Sequence, residues 1–356
     1  MKTRTIKSCL RTSAALAAVL LATGCGKSTG EKWRFETGAQ ISSSPAVAPN
    51  GTVYFGSDDS KIYAVSIDGR EEWSISTDYP VRGSAAIGAD GTVFIGGNDY
   101  FLYAVSPSGE IRWSFEADSE IEGAAVLDND DNVYFASRNG TLYSFTNDGQ
   151  ERWSGNMGAP VSGSPILHEN QILYVASQNG RLFALDLNGN SRWFHDLNTP
   201  LKATPAADEN GTVYLGGYDG KLHAIDRRGN PQWSFEADAE IASPAAIAPD
   251  GKIVVGDEKG HIYALSPDGN LLWKNQLENS ILRSAPVFDS RGTIYLATHG
   301  GELVAMEPNG NLRWTRTIAS DIQTTPVIAP SGILLAGTYD SRLYAFDIGA
   351  PGANLR

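Results

Sequence analysis

Cysteine is nearly missing from this chain: the 356 residues contain two, Cys9 and Cys25, alongside three methionines and five histidines. So few soft ligands leave no material for a thiolate metal centre or a disulfide framework. No apolar run approaches the roughly 20 residues a membrane-spanning helix needs, and the longest, around Ala14 to Ala22, is far shorter. Cations are also scarce, with 28 Lys and Arg against 41 Asp and Glu. No basic stripe interrupts that imbalance, and an acidic surface repels phosphate backbones, which argues against a nucleic-acid partner. Helical periodicity is absent too. What the chain has instead is glycine, 38 residues of it, and an insistent repeat.

The start is a targeting segment. Lys2, Arg4, Lys7 and Arg11 precede the apolar run and small residues follow it, the order of a secretory signal peptide. Ala22-Thr23-Gly24-Cys25 resembles the lipobox of bacterial lipoproteins, with leucine one place early at Leu21. That resemblance implies cleavage after residue 24 and acylation of the Cys25 thiol. Gly26 in place of aspartate then favours the outer membrane, lipid-anchored and facing the periplasm. With residues 1–24 removed, 24 cationic side chains face 41 acidic ones, a formal net charge of −17, and Cys9 is gone. The expected organisation is a signal peptide over 1–24, a lipidated linker over 25–30, a single repeat body over 31–349 and a tail over 350–356.

All eight tryptophans form one series: Trp33, Trp73, Trp113, Trp153, Trp193, Trp233, Trp273 and Trp314, spaced by 40 residues except for a final 41. Seven of them end the pattern small-x-x-x-x-Gly-x-x-x-Trp, which begins at Ala64, Ala104, Ser144, Ala184, Ala224, Ala264 and Ala305. Between tryptophans the sequence predicts four short strands, in the first unit SSPAVA, TVYFGS, KIYAVS and EEWSIS, separated by turn pairs such as Asn50-Gly51 and Asp68-Gly69. Repeated four-stranded units of this length describe the blades of a β-propeller. Two fragments are left over. Trp33 lies in KWRFE with no motif before it, and Ala345 lies in LYAFD with no tryptophan after it. Joined, they complete an eighth blade, so the N-terminal strand closes the ring and leaves no long edge open.

No tryptophan is followed by aspartate, as WD40 repeats would require, and kelch repeats would be longer. The motif resembles the tryptophan-docking motif of pyrroloquinoline quinone (PQQ) repeat propellers, one residue short and with its aspartate position variable. The expected fold is therefore all-β: an eight-bladed propeller of four-stranded antiparallel blades of the PQQ-repeat type. Each indole is expected to pack on the motif glycine of a neighbouring blade, where no side chain obstructs it.

Chemistry is harder to place. The quinoprotein dehydrogenases of the family hold their cofactor beneath an adjacent-cysteine disulfide, which this chain cannot form. Asp128-Asn129-Asp130-Asp131-Asn132 begins like a calcium loop but puts Val133 where glycine is needed and Asn139 where the bidentate glutamate belongs. The histidines fall in five different units at dissimilar places. Asn-Gly-Thr at Asn50, Asn139 and Asn210 reads as turn sequence. No catalytic, cofactor-binding or metal-binding residue is expected. Binding is expected instead at the mouth of the propeller, where the innermost strands begin with Ser42, Arg82, Glu122, Ser162, Lys202, Ala242, Arg283 and Gln323. The charged or amide members Arg82, Glu122, Lys202, Arg283 and Gln323 are the candidate contacts. WSFEADSEI and WSFEADAEI are expected to make two blades of that mouth acidic through Glu116, Asp118, Glu120, Glu236, Asp238 and Glu240.

A lipid-anchored propeller of this type, without the quinoprotein cysteines, is similar to the BamB-type lipoproteins of the outer-membrane β-barrel assembly machinery. The resemblance implies a non-catalytic scaffold with an envelope protein partner, a BamA-like barrel-assembly subunit, and contact with the membrane through the lipid alone. A glycan- or peptide-binding module of the cell envelope and a quinoprotein-type oxidoreductase are the alternatives.

Overall fold

The computed structural model describes residues 30–348 apart from Leu282 and Ala319; the signal segment, Cys25 and the tail over 350–356 lie outside the described residues. Thirty-two strands, numbered β1 to β32 in chain order, pair into eight four-stranded antiparallel sheets, and no helix occurs among the described residues. The protein is an eight-bladed β-propeller. Blade 1 is typical: β2 (Ala46–Val47), β3 (Val53–Ser57), β4 (Lys61–Val65) and β5 (Glu71–Ser76), from the axis outwards. Blades 2 to 7 repeat it, starting at Ala86, Val126, Ile166, Ala206, Ala246 and Val287. Blade 8 is assembled from both ends of the chain. β30 (Val327–Ile328), β31 (Ile333–Gly337) and β32 (Arg342–Asp347) come from its end, and β1 (Glu31–Glu36) supplies the outer strand.

Register explains the repeated motif. Ala64 pairs with Trp73, and the same small-residue-to-tryptophan pairing recurs in every blade, including Ala345 with Trp33 across the closure. Beside that pair the ladder slips by one residue, a bulge that bends the outer strand and sharpens its twist. The core is not a single mass but eight layers between blades. In one of them Tyr54, Ile62 and Ala64 of blade 1 meet Val93, Ile95 and Val105 of blade 2.

The innermost strands are shorter than SSPAVA suggests: only Ala46 and Val47 pair with β3. The shortness does not depend on the proline that precedes the strand in five blades (Pro45, Pro165, Pro205, Pro286 and Pro326), since blades 2, 3 and 6 have Ala85, Ala125 and Ala245 there and pair over two residues as well.

Candidate functional site

The tryptophans join neighbouring blades. Trp33 Nε1 donates to the Ile67 carbonyl oxygen at 2.7 Å and Trp153 Nε1 to that of Leu187 at 2.9 Å. Five more repeat the bond, from Trp73, Trp113, Trp193, Trp233 and Trp273. Each of these seven rings lies against the motif glycine of the next blade; a Cβ built on Gly69 would stand 2.7 Å from Trp33. Trp314 packs beside the layer between blades 7 and 8. The rings are half-buried, since they sit on the outermost strands.

The axis opens on one face into a cavity of about 730 Å³, and all eight innermost-strand positions from Ser42 to Gln323 line it. A second tier, not singled out from the sequence, comes from the loops between the second and third strands and includes Arg138, Gln178, Tyr218, Glu258 and Tyr339. Each stands sixteen residues after its first-tier neighbour, a regularity that aligning the units would have shown. The tiers are coupled within blades. Tyr339 Oη donates to Gln323 Oε1 at 2.7 Å, Gln178 Nε2 to Ser162 Oγ at 2.5 Å, and Arg138 Nη1 reaches Glu122 Oε1 at 3.4 Å. Lys202 Nζ lies 4.6 Å from the centre of the Tyr218 ring, a cation–π contact. Arg82 instead crosses to blade 1 and donates through Nε and Nη2 to Asp58 at 3.0 and 2.8 Å, which holds its pKa above the usual arginine value. Arg283 is exposed and has no ion pair or hydrogen bond among the described residues. Burial and the nearby Glu240 charge push the Glu258 carboxyl up, with Lys202 opposing them.

Deeper in the cavity the chain makes a collar of hydroxyls. The Ser44 N–H donates to Ser84 Oγ, Ser164 N–H to Thr204 Oγ1, and Thr325 N–H back to Ser44 Oγ, at 2.9 to 3.1 Å. Ala124, Pro244 and Ala285 carry no hydroxyl at this position, so the Ser84 and Thr204 N–H groups lack the acceptor their neighbours have, and Pro244 has no N–H to place.

None of the six acidic side chains expected there lines the cavity itself. Asp118 accepts from Thr141 Oγ1 at 2.7 Å, while Asp238 pairs with Lys274 and with His261 at 3.5 Å, so these two aspartates are spent on the flanks of their blades. Glu120 and Glu240 stay close enough to the second-tier Arg138 and Glu258 to act on the charge at the rim, so the acid expected over these two blades reaches the mouth only in part. The charged lining of the cavity is Arg82, Arg138, Lys202 and Arg283 against Glu122 and Glu258.

Asp128 is a turn residue: its carboxylate accepts from the Asp130 and Asn132 N–H groups and from Tyr134 Oη. The histidines do not fall in five blades, because His168 and His195 share blade 4, and four of them lie beside a local carboxylate, His168 by Glu169, His223 by Asp219, His261 by Asp257 and His299 by Asp321. No group of three or more potential ligands able to hold a metal occurs among the described residues.

The family model described as outer membrane protein assembly factor BamB matches residues 26–127, 99–196 and 178–355. The chain belongs to that family. Among solved structures it is similar to BamB from Moraxella catarrhalis, with 17% identity over 90% of this chain and 99% of that one, at a TM-score of 0.76. The computationally designed Ika8 protein matches at 16% identity and a TM-score of 0.76, covering 90% of this chain and all of that one. Sqt1 of Saccharomyces cerevisiae matches at 13% identity and a TM-score of 0.78, covering 88% and 97%. No curated protein matches the sequence. A designed protein and a yeast protein among the neighbours mean that these likenesses carry the fold alone.

Proposed function

We propose that this BamB-family propeller is a non-catalytic scaffold of the bacterial envelope, held by an acylated Cys25 to the outer membrane, which docks a BamA-like barrel-assembly subunit at its mouth. The observation that carries the reading is the charge of the mouth. On a chain whose mature form carries 41 acidic side chains against 24 cationic ones, the balance reverses locally at one concave site, where Arg82, Arg138, Lys202 and Arg283 stand against Glu122 and Glu258. There Arg283 has no partner among the described residues and Lys202 rests on a ring. Unpaired cations inside a cleft focus a positive potential and select an acidic partner surface while the rest of the molecule repels it.

Anchoring suits this arrangement. β1 begins at Glu31 on the face opposite the mouth, and the six residues from Cys25 reach at most about 20 Å when extended. The far face is thereby tethered near the membrane and the mouth points away from it. The test is site-specific crosslinking in cells from residue 42 or 323, with Lys202→Glu and Arg283→Glu as variants. Crosslinks to a barrel-assembly subunit that vanish in the double variant, with melting unchanged, are the expected result. Crosslinking that is indifferent to both charges refutes the mouth as the docking site.

A further inference from the structure

One connection between blades departs from the repeat at positions that meet in space. In seven blades the third strand opens with a polar residue, from Lys61 to Arg342, but β8 (Phe101–Val105) of blade 2 opens with Phe101. The connection that enters blade 2 carries Asp78 and Tyr79. At the place of Tyr79 the other connections have residues no larger than Asn279, and Tyr79 is 62% exposed. Elsewhere in the ring the side chains at these positions touch. Asp118 accepts from Thr141 Oγ1 at 2.7 Å, Asp238 lies 3.5 Å from His261, and Asn279 Nδ2 donates to Glu302 Oε2 at 3.1 Å. The first two pairs are the counterparts of Asp78 with Phe101, and the third is that of Tyr79 with Phe101.

Phe101 therefore takes away the partner that an aspartate at this place has in two other blades. Asp78 is exposed and makes no ion pair or hydrogen bond among the described residues. Lys274, the second partner of Asp238, has Ser114 as its counterpart, so no cation replaces the lost contact. The Asp78 charge is close enough to the Tyr103 hydroxyl to act on it, and the Phe101 and Tyr103 rings lie 5.9 Å apart. The backbone around them is pinned. Thr77 Oγ1 donates to the Tyr79 carbonyl oxygen and the Asn98 N–H to that of Pro80, both at 2.8 Å. A carboxylate without a counter-ion thus stands beside aromatic rings on the face that carries the mouth. Arg82, which lines the mouth, is three residues further along the same connection, at most about 11 Å of chain from Tyr79.

We propose that Asp78, Tyr79 and Phe101 receive an arginine side chain of the protein that docks at the mouth. Aromatic faces attract cations, and a planar guanidinium stacks on a ring while its edge donates to a carboxylate, which a compact ammonium cannot do at once. At this exposure a small free cation would bury little surface, whereas a side chain of a docked protein arrives with other contacts already made. The inference rests on the reading of the mouth as a docking site and adds one requirement, that the partner carry an arginine flanking its acidic surface. Opposite charges recognised at two neighbouring points fix the register of the partner.

The site is tested by aromatic-carbon NMR on the full mature chain titrated with N-acetyl-argininamide, with the uncharged N-acetyl-citrullinamide and with choline as controls. The arginine probe is expected to shift the Tyr79 and Phe101 ring signals saturably and to bind more tightly than either control. Asp78→Asn is expected to weaken it about threefold or more. Phe101→Thr, which gives Asp78 the partner that Asp118 has, is expected to abolish saturation at Tyr79 with circular dichroism unchanged. Lys202→Glu combined with Arg283→Glu is expected to leave the titration unaltered, so the mouth and the arginine site can fail separately. In cells, a photocrosslinker at residue 100 is expected to capture the same subunit as residues 42 and 323 and to lose it in Asp78→Asn. No saturable shift, equal binding of the citrulline probe, tighter binding of choline, binding that survives Phe101→Thr, or crosslinks from residues 42 and 323 with none from residue 100 overturns the proposal.

Discussion

Gly149 gives the sharpest measurement of how the blades are held to one another. Its φ is +87°, and an alanine Cβ there would lie 2.7 Å from Trp113 Cγ and 2.8 Å from Cδ2. The ring cannot retreat freely, because Nε1 donates to the Asn147 carbonyl at 2.8 Å and the indole stacks on Phe145 with centroids 5.8 Å apart. Gly149→Ala therefore incurs two costs: about 1–2 kcal/mol for an L-residue in the left-handed region and about 1–3 kcal/mol for overpacking. Gly158 supplies the control. Its φ is +79°, yet a Cβ there meets nothing within 4 Å, so Gly158→Ala should incur only the backbone cost. At roughly 2 °C of melting temperature per kcal/mol for a chain of this size, calorimetry should show about 2–4 °C lost at Gly158 and about 4–10 °C at Gly149. In a Trp113→Ala background the excess at Gly149 should disappear. Equal losses at the two glycines in the wild-type background would refute the idea that this glycine exists to seat the indole.

Deleting residues 31–37 removes the outer strand of blade 8 and exposes Leu343 and Ala345, so melting temperature and solubility should both fall, and an unchanged melting curve would contradict closure by β1. Acid should destabilise the ring. Burial alone would raise the Asp128 and Asp289 carboxyls, but hydrogen bonds from Asn132 and Tyr134 to the first and from Arg291 and Thr293 to the second hold both below the ordinary 3.8. The unfolded chain then takes up these protons first, so stability present above that value is lost as pH falls through it, and melting temperatures measured from about pH 5 to 3 should decline. Cys25→Ala should move the protein from the membrane to the soluble fraction after a salt wash with its circular dichroism unchanged, because the acyl chains are the whole of the proposed attachment.

The blade count and the closure were legible because the Ala–Trp pairing and its bulge impose a fixed spacing, which even the two leftover fragments obey. All eight first-tier mouth positions were legible for the same reason, since each innermost strand starts at one phase of the repeat. Arg138, Glu258 and Tyr339 were missed although each keeps the same sixteen-residue offset from a first-tier position, because their loops carry no motif that marks the offset as a wall of the cavity. Asp118 and Asp238 misled for the converse reason. Adjacency in sequence to the mouth strands says nothing about direction, and their partners Thr141 and Lys274 draw them to the blade flank.

Closing blade 8 from both termini also sets an order in time. β1 is made first, yet its partner β32 is among the last segments made; Arg342 reaches back to Glu36 across 306 residues of chain. The first strand to emerge must wait unpaired while seven blades form, and the last docking event carries the largest loop-closure entropy in the molecule. During that interval β32 presents an open edge containing Leu343, Tyr344 and Phe346, which the β1 of another molecule fits as well as its own. At high concentration during refolding, rings closed by exchange of N-terminal strands should therefore form, dimers in which every blade is native and only the clasp has changed owners.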